Sequence, residues 1–581
     1  MEKKQAKYVE KIAQAKKEWQ EKAVDPSLKR FGLKENPVRF YTPMDVPDFD
    51  FLEKVGFPGM YPFTAGTYAF QVHQAGQKGG GHIPSGSGFT RAGRYSGYGT
   101  AEDYRDYQRE MQALGARSGP NIAFDLPTQC GYDSDSSMAS GEVGKVGVAI
   151  DTLRDFETIY EAFTGEREID RIASDYTINA PANIIIAMYI ALAEKRGISM
   201  EKLRATPQND ILKEFVGRGT YIFPPEHSMR MVRDSIVFFT EHLPHVNINS
   251  IGGYHMREAG ATREQDLAFS MANGAAYLQL GIDAGLDIDS FAPKFTFNTF
   301  GGSMEFYKEV AFHRAARRMW ARLLKDRFKA RNPRSMLLRM PLGAQIGPSS
   351  TTLQRPLNNL TRAVVGGMAA GMSGGAPNVF PPYDEALGLG WSLEAIQLTE
   401  DAARILQLEA KLCDVADPFA GSYFMEALTD ELEEAAWKEV EKIDKMGGAT
   451  AAVEYMHRET AKSAYERQKR IEKGEDLIVG VNCFTGENEL EVSVRRVVEH
   501  PYDPDKREEA EQKQIARLAE VKRTREDKDV ARSLSKLETE ARKSEVNLMP
   551  YIIECVKCYA TVQEICDTLK SVFGEYEPGE V

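Results

Sequence analysis

Cys555 and Cys558 form a CxxC, a spacing that could hold half of a zinc site or a redox-active thiol pair. They sit in YIIECVKCYATVQEIC, whose apolar spacing reads as a helix, and no second CxxC or nearby histidine pair completes a metal set. Helix-packing thiols are therefore expected. The 9 histidines contain no HExxH, and no GxxxxGK[ST] is present to cradle phosphates. The glycines at 79–81, 86 and 88 lack the strand-to-helix context of a dinucleotide loop. The polar residues that could do chemistry lie elsewhere. Asn179, Tyr254, His255 and Asn298 each close a short apolar run that reads as a buried strand, and Gly343 ends another.

The elements that must position these residues alternate. NIAFDLP (121–127), YTINA (176–180), HVNINSIGGYH (245–255), KFTFNTF (294–300) and SMLLRMPL (335–342) read as strands. Amphipathic helical patterns lie between them, at 182–197, 208–217, 263–285 and 304–329. Repeated β-then-α units predict an α/β fold, a (β/α)8 TIM barrel over residues 51–415, with an open doubly wound sheet as the alternative. Strand C-terminal ends are where such barrels gather catalytic groups. Residues 1–50 read as a wrapping arm. Residues 416–581 read as a mostly helical packing region with one β-like stretch, DLIVGVN (476–482). The run from 503 to 543 reads as a solvated helical hairpin, since its apolar seam is thin, with a coiled-coil arm as the alternative.

The bulk numbers bound the rest. A chain of 581 residues has room for one large barrel and accessories. Its net charge of −13 argues against a general nucleic-acid or anionic-membrane binder, though it leaves room for a local basic pocket. The charged N-terminus lacks the apolar core of a signal peptide, and no apolar run has membrane-span length. A cytoplasmic protein is expected.

Longer strings carry a specific likeness. YPFTAGTY (61–68), AFDLPTQCGYDSD (123–135), QNDILKEFVGRGTYIFPP (208–225), GGYHMREAG (252–260), DPFAGSYFMEALTDELE (417–433) and the segment 547–576 closely resemble the methylmalonyl-CoA mutase family. The resemblance runs from about residue 30 onward. It implies a TIM barrel threaded by CoA, adenosylcobalamin at the strand ends, and a radical carbon-skeleton rearrangement. Carried over by position, Tyr95 matches the tyrosine wedged against the adenosyl group, and His255 the histidine that bonds the thioester carbonyl. Arg218 matches the arginine that pairs with the free carboxylate of a malonyl-type substrate, Gln208 the glutamine that orients it, and Tyr254 the tyrosine beside the reacting carbons. Gln345 matches a further active-site glutamine across a two-residue gap, and Phe124, Leu126, Glu258 and Glu385 fall where the family touches corrin or ribose.

Those residue types suit the task. A carboxylate taken out of water needs a cationic, bidentate partner, and a histidine can offset charge building on a migrating thioester oxygen. Read alone, however, Arg218 could simply pair with Glu214 four residues earlier on the same helix face.

The sequence departs from the family in two places. Residues 69–94 form a longer, glycine-rich stretch, so CoA contacts carry over only to Arg91 and Arg94, with His73, His82 or the backbone of 79–88 expected at the CoA entrance. GGAPNVFPP (374–382) replaces a polar segment, which suits either a roomier pocket or loop drift around an unchanged substrate. Tyrosine at 95 with arginine at 218 resembles the malonyl type. Ala123 stands where 2-hydroxyisobutyryl-type members carry an aspartate. No DxHxxG, the motif that ligates cobalt from below, occurs in the chain, so a separate small cobalamin-binding subunit and a hetero-oligomer are expected. Three readings stay open: a mutase for a malonyl/succinyl-type CoA ester, one for a bulkier alkyl- or aryl-substituted ester, and a non-catalytic assembly partner.

Overall fold

The computed structural model describes residues 2–36, 40–69, 99–113, 119–298, 301–340, 345–375, 378–387, 392–486 and 504–578. Its strands are short and all their pairings parallel: β1 (Asn121–Ala123), β2 (Ser174–Thr177), β3 (Ala205–Pro207), β4 (Asn249–Ile251), β5 (Phe295–Phe297), β6 (Gly301–Gly302) and β7 (Gln345–Ile346). β1, β2 and β3 pair in chain order, and β4 pairs with β5. Backbone bonds join the two groups, from Asn247 N to Ala205 O at 2.9 Å and from Ser250 N to Gln208 O at 2.8 Å. Phe297 N to Arg339 O, at 2.7 Å, carries the row one segment further.

Each strand stops for a visible reason. β1 ends at Ala123 because Asp125 caps the next helix, Leu126–Cys130, by accepting from Thr128 N at 3.0 Å. The expected strand 121–127 is therefore half helix. β4 ends at a Gly252–Gly253 pair, and Tyr254 and His255 lie in the first turns of the helix Gly253–Ala259 rather than on the strand. β3 falls where only loop was expected, because three residues that include a proline give no strand pattern. In the expected strand 335–342, Pro333–Met336 is a 3-10 turn, residues 337–340 form no strand, and 341–342 lie outside the described residues.

The helices cover this row. Ala182–Lys195 is apolar on every side, and its first twelve residues are buried between the strands and the C-terminal helix Met549–Lys557. Arg263–Asp283 starts with a capping box in which Thr262 accepts from Gln265 N and Gln265 accepts from Thr262 N. Buried arginines pin the helix Phe306–Arg322 to its neighbours. Arg314 binds Asp417 at 2.9 Å and Glu426 at 2.6 Å, and Arg318 binds Asp430 and Glu433. Arg317 donates to the carbonyls of Phe63, Thr64 and Ser373, tying two loops together.

One continuous hydrophobic core runs from Phe63 to Phe573. The expected hairpin forms as Pro504–Thr524 and Asp527–Ala541, but it is docked rather than solvated. Its Leu518, Val521, Val530 and Leu537 are buried, and Gln514 Nε2 donates to Asp151 at 2.7 Å and Asp155 at 3.0 Å. DLIVGVN is not a strand. Val479 makes a single bridge to Cys483, Gly480 turns at φ +80°, and exposed Leu477 has no core to face. All six cysteines are free, and Cys555 is buried on Met549–Lys557. Among the described residues, no helix is long and apolar enough to cross a membrane.

Candidate functional site

The site is built where β3 and β4 end. After Pro207 the chain adds two more ladder bonds, Gln208 N to Tyr176 O and Asn209 N to Ile178 O, both 2.9 Å. Asn209 takes φ +44°, a left-handed value that asparagine tolerates, and this turns the chain into Ile211–Lys213. Asp210 locks the two strand ends together by accepting from Gly252 N at 2.7 Å and from Tyr277 OH at 2.6 Å. Burial pushes its carboxyl above the usual range, against the nearby charge of Lys213. A single π-turn, Glu214–Arg218, follows and stops at Gly219 with φ +85°. Such widened turns are frequent at functional sites.

Glu214 is the hub of this turn, with no exposed side-chain surface. Its Oε1 accepts from Lys213 Nζ and from Asn179 Nδ2 at 2.6 Å. Its Oε2 accepts from Thr220 Oγ1 at 2.6 Å and Thr220 N at 3.2 Å. Burial opposes its ionisation, but the charges of Lys213 and Arg218 and these bonds outweigh burial and hold its carboxyl below the usual range. Asn179 Nδ2 also donates to Gln208 Oε1 at 2.9 Å, which leaves the Gln208 amide nitrogen as the donor end. Arg218 Nη1 stands 3.5 Å from Glu214 Oε1, is itself buried, and makes no hydrogen bond.

His255 faces the same group. The helix Gly253–Ala259 lies so close to the π-turn that a Cβ on Gly217 would sit 3.1 Å from His255 O. A Cβ on Gly252 would sit 3.3 Å from both His255 Nδ1 and Lys213 Cδ, so the imidazole and the lysine stem flank one backbone atom. His255 Nδ1 is buried with no hydrogen-bond partner. Burial first, then the charges of Lys213 and Arg218, hold the imidazole well below its usual pKa, so it is neutral. Tyr254 stacks edge-on against it at 4.8 Å.

The structure thus brings together Gln208, Arg218, Tyr254 and His255. The other candidates have different surroundings or lie outside the described residues. Phe124 has 0% exposure and packs against Tyr176 in the core, because it follows the inward-facing Ile122 by two residues along β1, so its side chain offers no ligand surface. Leu126 is exposed on the next helix, and the loop that packs on this strand end leaves Met138 and Val146 exposed too. Glu258 accepts from Ser349 N at 2.7 Å and Ser349 Oγ at 3.1 Å. Glu385 starts the 3-10 turn Glu385–Leu387. Gln345 is the first residue of β7, paired with Gly301, and its side chain lies outside the described residues. So do Tyr95, Arg91, Arg94, His73, His82 and residues 79–88.

Sequence reasoning singled out neither Lys213 nor Asp210. The available signal was three charged residues, Asp210, Lys213 and Glu214, in a stretch whose remaining residues are apolar. Among the described residues, no three histidine, cysteine or carboxylate side chains cluster as a metal site. What the arrangement can do is bind an anion at Arg218 and donate hydrogen bonds from Gln208 and a neutral imidazole.

Comparison with known proteins gives this geometry a setting. Residues 34–575 match the family described as methylmalonyl-CoA mutase. A probable mitochondrial methylmalonyl-CoA mutase of Caenorhabditis elegans is 36% identical over 557 residues, covering 94% of this chain and 71% of that protein. The 2-hydroxyisobutanoyl-CoA mutase large subunit of Aquincola tertiaricarbonis is 36% identical over 572 residues, covering 97% of this chain and 96% of that subunit. The methylmalonyl-CoA mutase of Rhizobium meliloti is 37% identical over 485 residues, of which this chain spans 66% of the length.

Proposed function

We propose, for a chain that belongs to the methylmalonyl-CoA mutase family, the role of substrate-binding subunit in an adenosylcobalamin-dependent acyl-CoA mutase, an isomerase that rearranges the carbon skeleton of a malonyl/succinyl-type CoA thioester. The observation that carries the substrate class is a pair of buried polar atoms that make no hydrogen bond, Arg218 Nη1 and His255 Nδ1, on the turns that follow β3 and β4. Buried polar groups are almost always bonded, and these two belong to one charged group in which the Arg218 charge acts on the His255 imidazole, which supports a ligand there. An acid-bearing acyl thioester has the matching groups, a carboxylate for Arg218 and a carbonyl oxygen for the neutral imidazole. The consecutive parallel strands with helices between them support closure into a (β/α)8 barrel, whose strand ends these residues would occupy.

When bound, adenosylcobalamin supplies the radical chemistry. This chain's residues supply binding and orientation. Arg218 holds the free carboxylate, Gln208 donates from an amide whose orientation Asn179 fixes, and Tyr254 packs beside the imidazole. Exposed Leu126, Met138 and Val146 suit the flat apolar face of a corrin. A partner subunit carrying the cobalamin-binding module accords with the near-complete overlap with a protein named a large subunit.

The test is turnover of the purified chain plus its cobalamin-binding partner on a panel of CoA esters. Isomerisation of methylmalonyl- or ethylmalonyl-CoA is expected. Turnover confined to monocarboxylic esters would overturn the substrate class.

A further inference from the structure

We propose that Lys213 is a positioning residue that occupies the last acceptor site on Glu214 and so keeps Arg218 free for an acid-bearing acyl group. The inference deepens the reading above and rests on it. The argument is one of stoichiometry. A carboxylate offers about four acceptor positions, two on each oxygen. On Glu214, Thr220 Oγ1 and Thr220 N fill the two on Oε2, while Asn179 Nδ2 and Lys213 Nζ fill the two on Oε1. Arg218 Nη1 lies 3.5 Å from that same Oε1, within Coulomb range but with no lone pair left to accept its proton.

The charges point the same way. Facing this group are two cations, Lys213 and Arg218, two acids, Glu214 and Asp210, the neutral dipoles of Asn179, Thr220 and Tyr277, and the His255 imidazole. Lys213 compensates Glu214 at contact distance with no side-chain exposure, while Arg218 keeps part of its surface open. Without Lys213, a bare carboxylate with an open acceptor on the nearer oxygen would draw the guanidinium in. Arg218 would then be the partner of Glu214, which is the structural pairing their four-residue spacing suggests. The lysine stem also lies beside the Nδ1 of His255, so its removal takes a positive charge away from the imidazole.

The experiment uses the full chain with its cobalamin-binding partner and two probes, succinyl-CoA and butyryl-CoA, which differ by a carboxylate. Affinity for each is measured by calorimetry for wild type, Lys213→Met and the double variant Lys213→Met/Glu214→Gln, with a thermal melt of each. Wild type should prefer succinyl-CoA. Lys213→Met should reduce that preference at least about tenfold through weaker succinyl-CoA binding, and the double variant, which removes the capturing charge, should restore most of it. The double variant removes both members of the buried Lys213–Glu214 pair and leaves Asp210 and Arg218 as the remaining opposite charges of the group, so it keeps the test decisive if Lys213→Met folds poorly. A Lys213→Met protein that retains the wild-type preference would overturn the inference, and so would a folded double variant without it. A wild type with no preference would instead sink the acid-bearing reading, and this inference with it.

Discussion

Replacing Arg218 by glutamine should separate substrates by charge. In the structure its Nη1 is buried, lacks a hydrogen bond and stands 3.5 Å from a carboxylate already compensated by Lys213. Losing one partner of a desolvated charge pair costs about 2–5 kcal/mol. The Arg218 side chain is 23% exposed, so water can partly solvate an abandoned substrate carboxylate, and the low end applies. About 2 kcal/mol is roughly a 30-fold loss in kcat/KM for a dicarboxylic thioester. A monocarboxylic ester that is accepted should lose less than about threefold, since it presents nothing for the guanidinium to hold. Stability should hardly change, because Glu214 keeps its lysine, asparagine and threonine donors. The assay is steady-state turnover by the complex on a matched pair of esters, with a thermal melt as control. Equal losses on both esters together with a lowered melting temperature would show Arg218 to be a structural partner of Glu214 and would refute the assignment.

Other outcomes follow from the same structure. His255 is buried neutral with its pKa well below the usual imidazole value, so kcat/KM should show no histidine step near pH ~6.5. The unfolded chain then binds the proton that the fold refuses, so His255 makes the fold lose stability as pH falls below about 6.5; a His255→Gln variant should flatten that part of a denaturation-versus-pH curve. Arg314→Ala strands Asp417 and Glu426 without their cation and should destabilise by about 3–5 kcal/mol in urea unfolding, far more than Arg314→Met with Asp417→Asn and Glu426→Gln. Gly147→Ala places a Cβ 2.0 Å from the Phe124 carbonyl carbon and should lower the melting temperature by breaking the contact of that loop with the end of β1. Titrating cobalamin into this chain alone should give no spectrum of histidine-ligated, base-off cobalt, because no DxHxxG is present.

The long helices were legible in the sequence because their apolar periodicity extends over several turns. Ala182–Lys195, Arg263–Asp283 and Phe306–Arg322 begin within about two residues of the expected starts. Strands of two to four residues leave too short a trace, so β3 was missed and 121–127 and 245–255 were read as too long. In both long readings the error was a helix beginning two or three residues past the last strand residue, at Gly253 and Leu126. That is how this architecture places side chains at a strand end. The docked hairpin was misjudged for a related reason. Its thin seam of Leu518, Val521, Val530 and Leu537 suffices because Gln514 and Arg517 add hydrogen bonds to buried Asp155, a partner distant in sequence. Of the site, Gln208, Arg218, Tyr254 and His255 came from matching strings, whereas Lys213 and Asp210 became visible only once side-chain contacts were counted.

The sharpest distinction within the molecule is among its buried arginines. Arg314 and Arg318 each meet two carboxylates, Arg263 meets Asp266 and Glu309, and Arg317 donates to three carbonyls. These four hold helices and loops in place, and their charges or donors are spent inside the fold. Arg218 is built differently. Among the described residues, its Nη1 is the one buried terminal guanidinium nitrogen without a hydrogen bond, although a carboxylate lies four residues away on its own turn. The nearer Glu214 oxygen already accepts from Lys213 and Asn179. The cost of the arrangement is two nearly adjacent cations, buried Lys213 and part-exposed Arg218, beside a histidine that burial first, and then their charges, keeps neutral. On the proposed reading, a carboxylate entering from outside would give Arg218 Nη1 the hydrogen-bond acceptor that Glu214 does not.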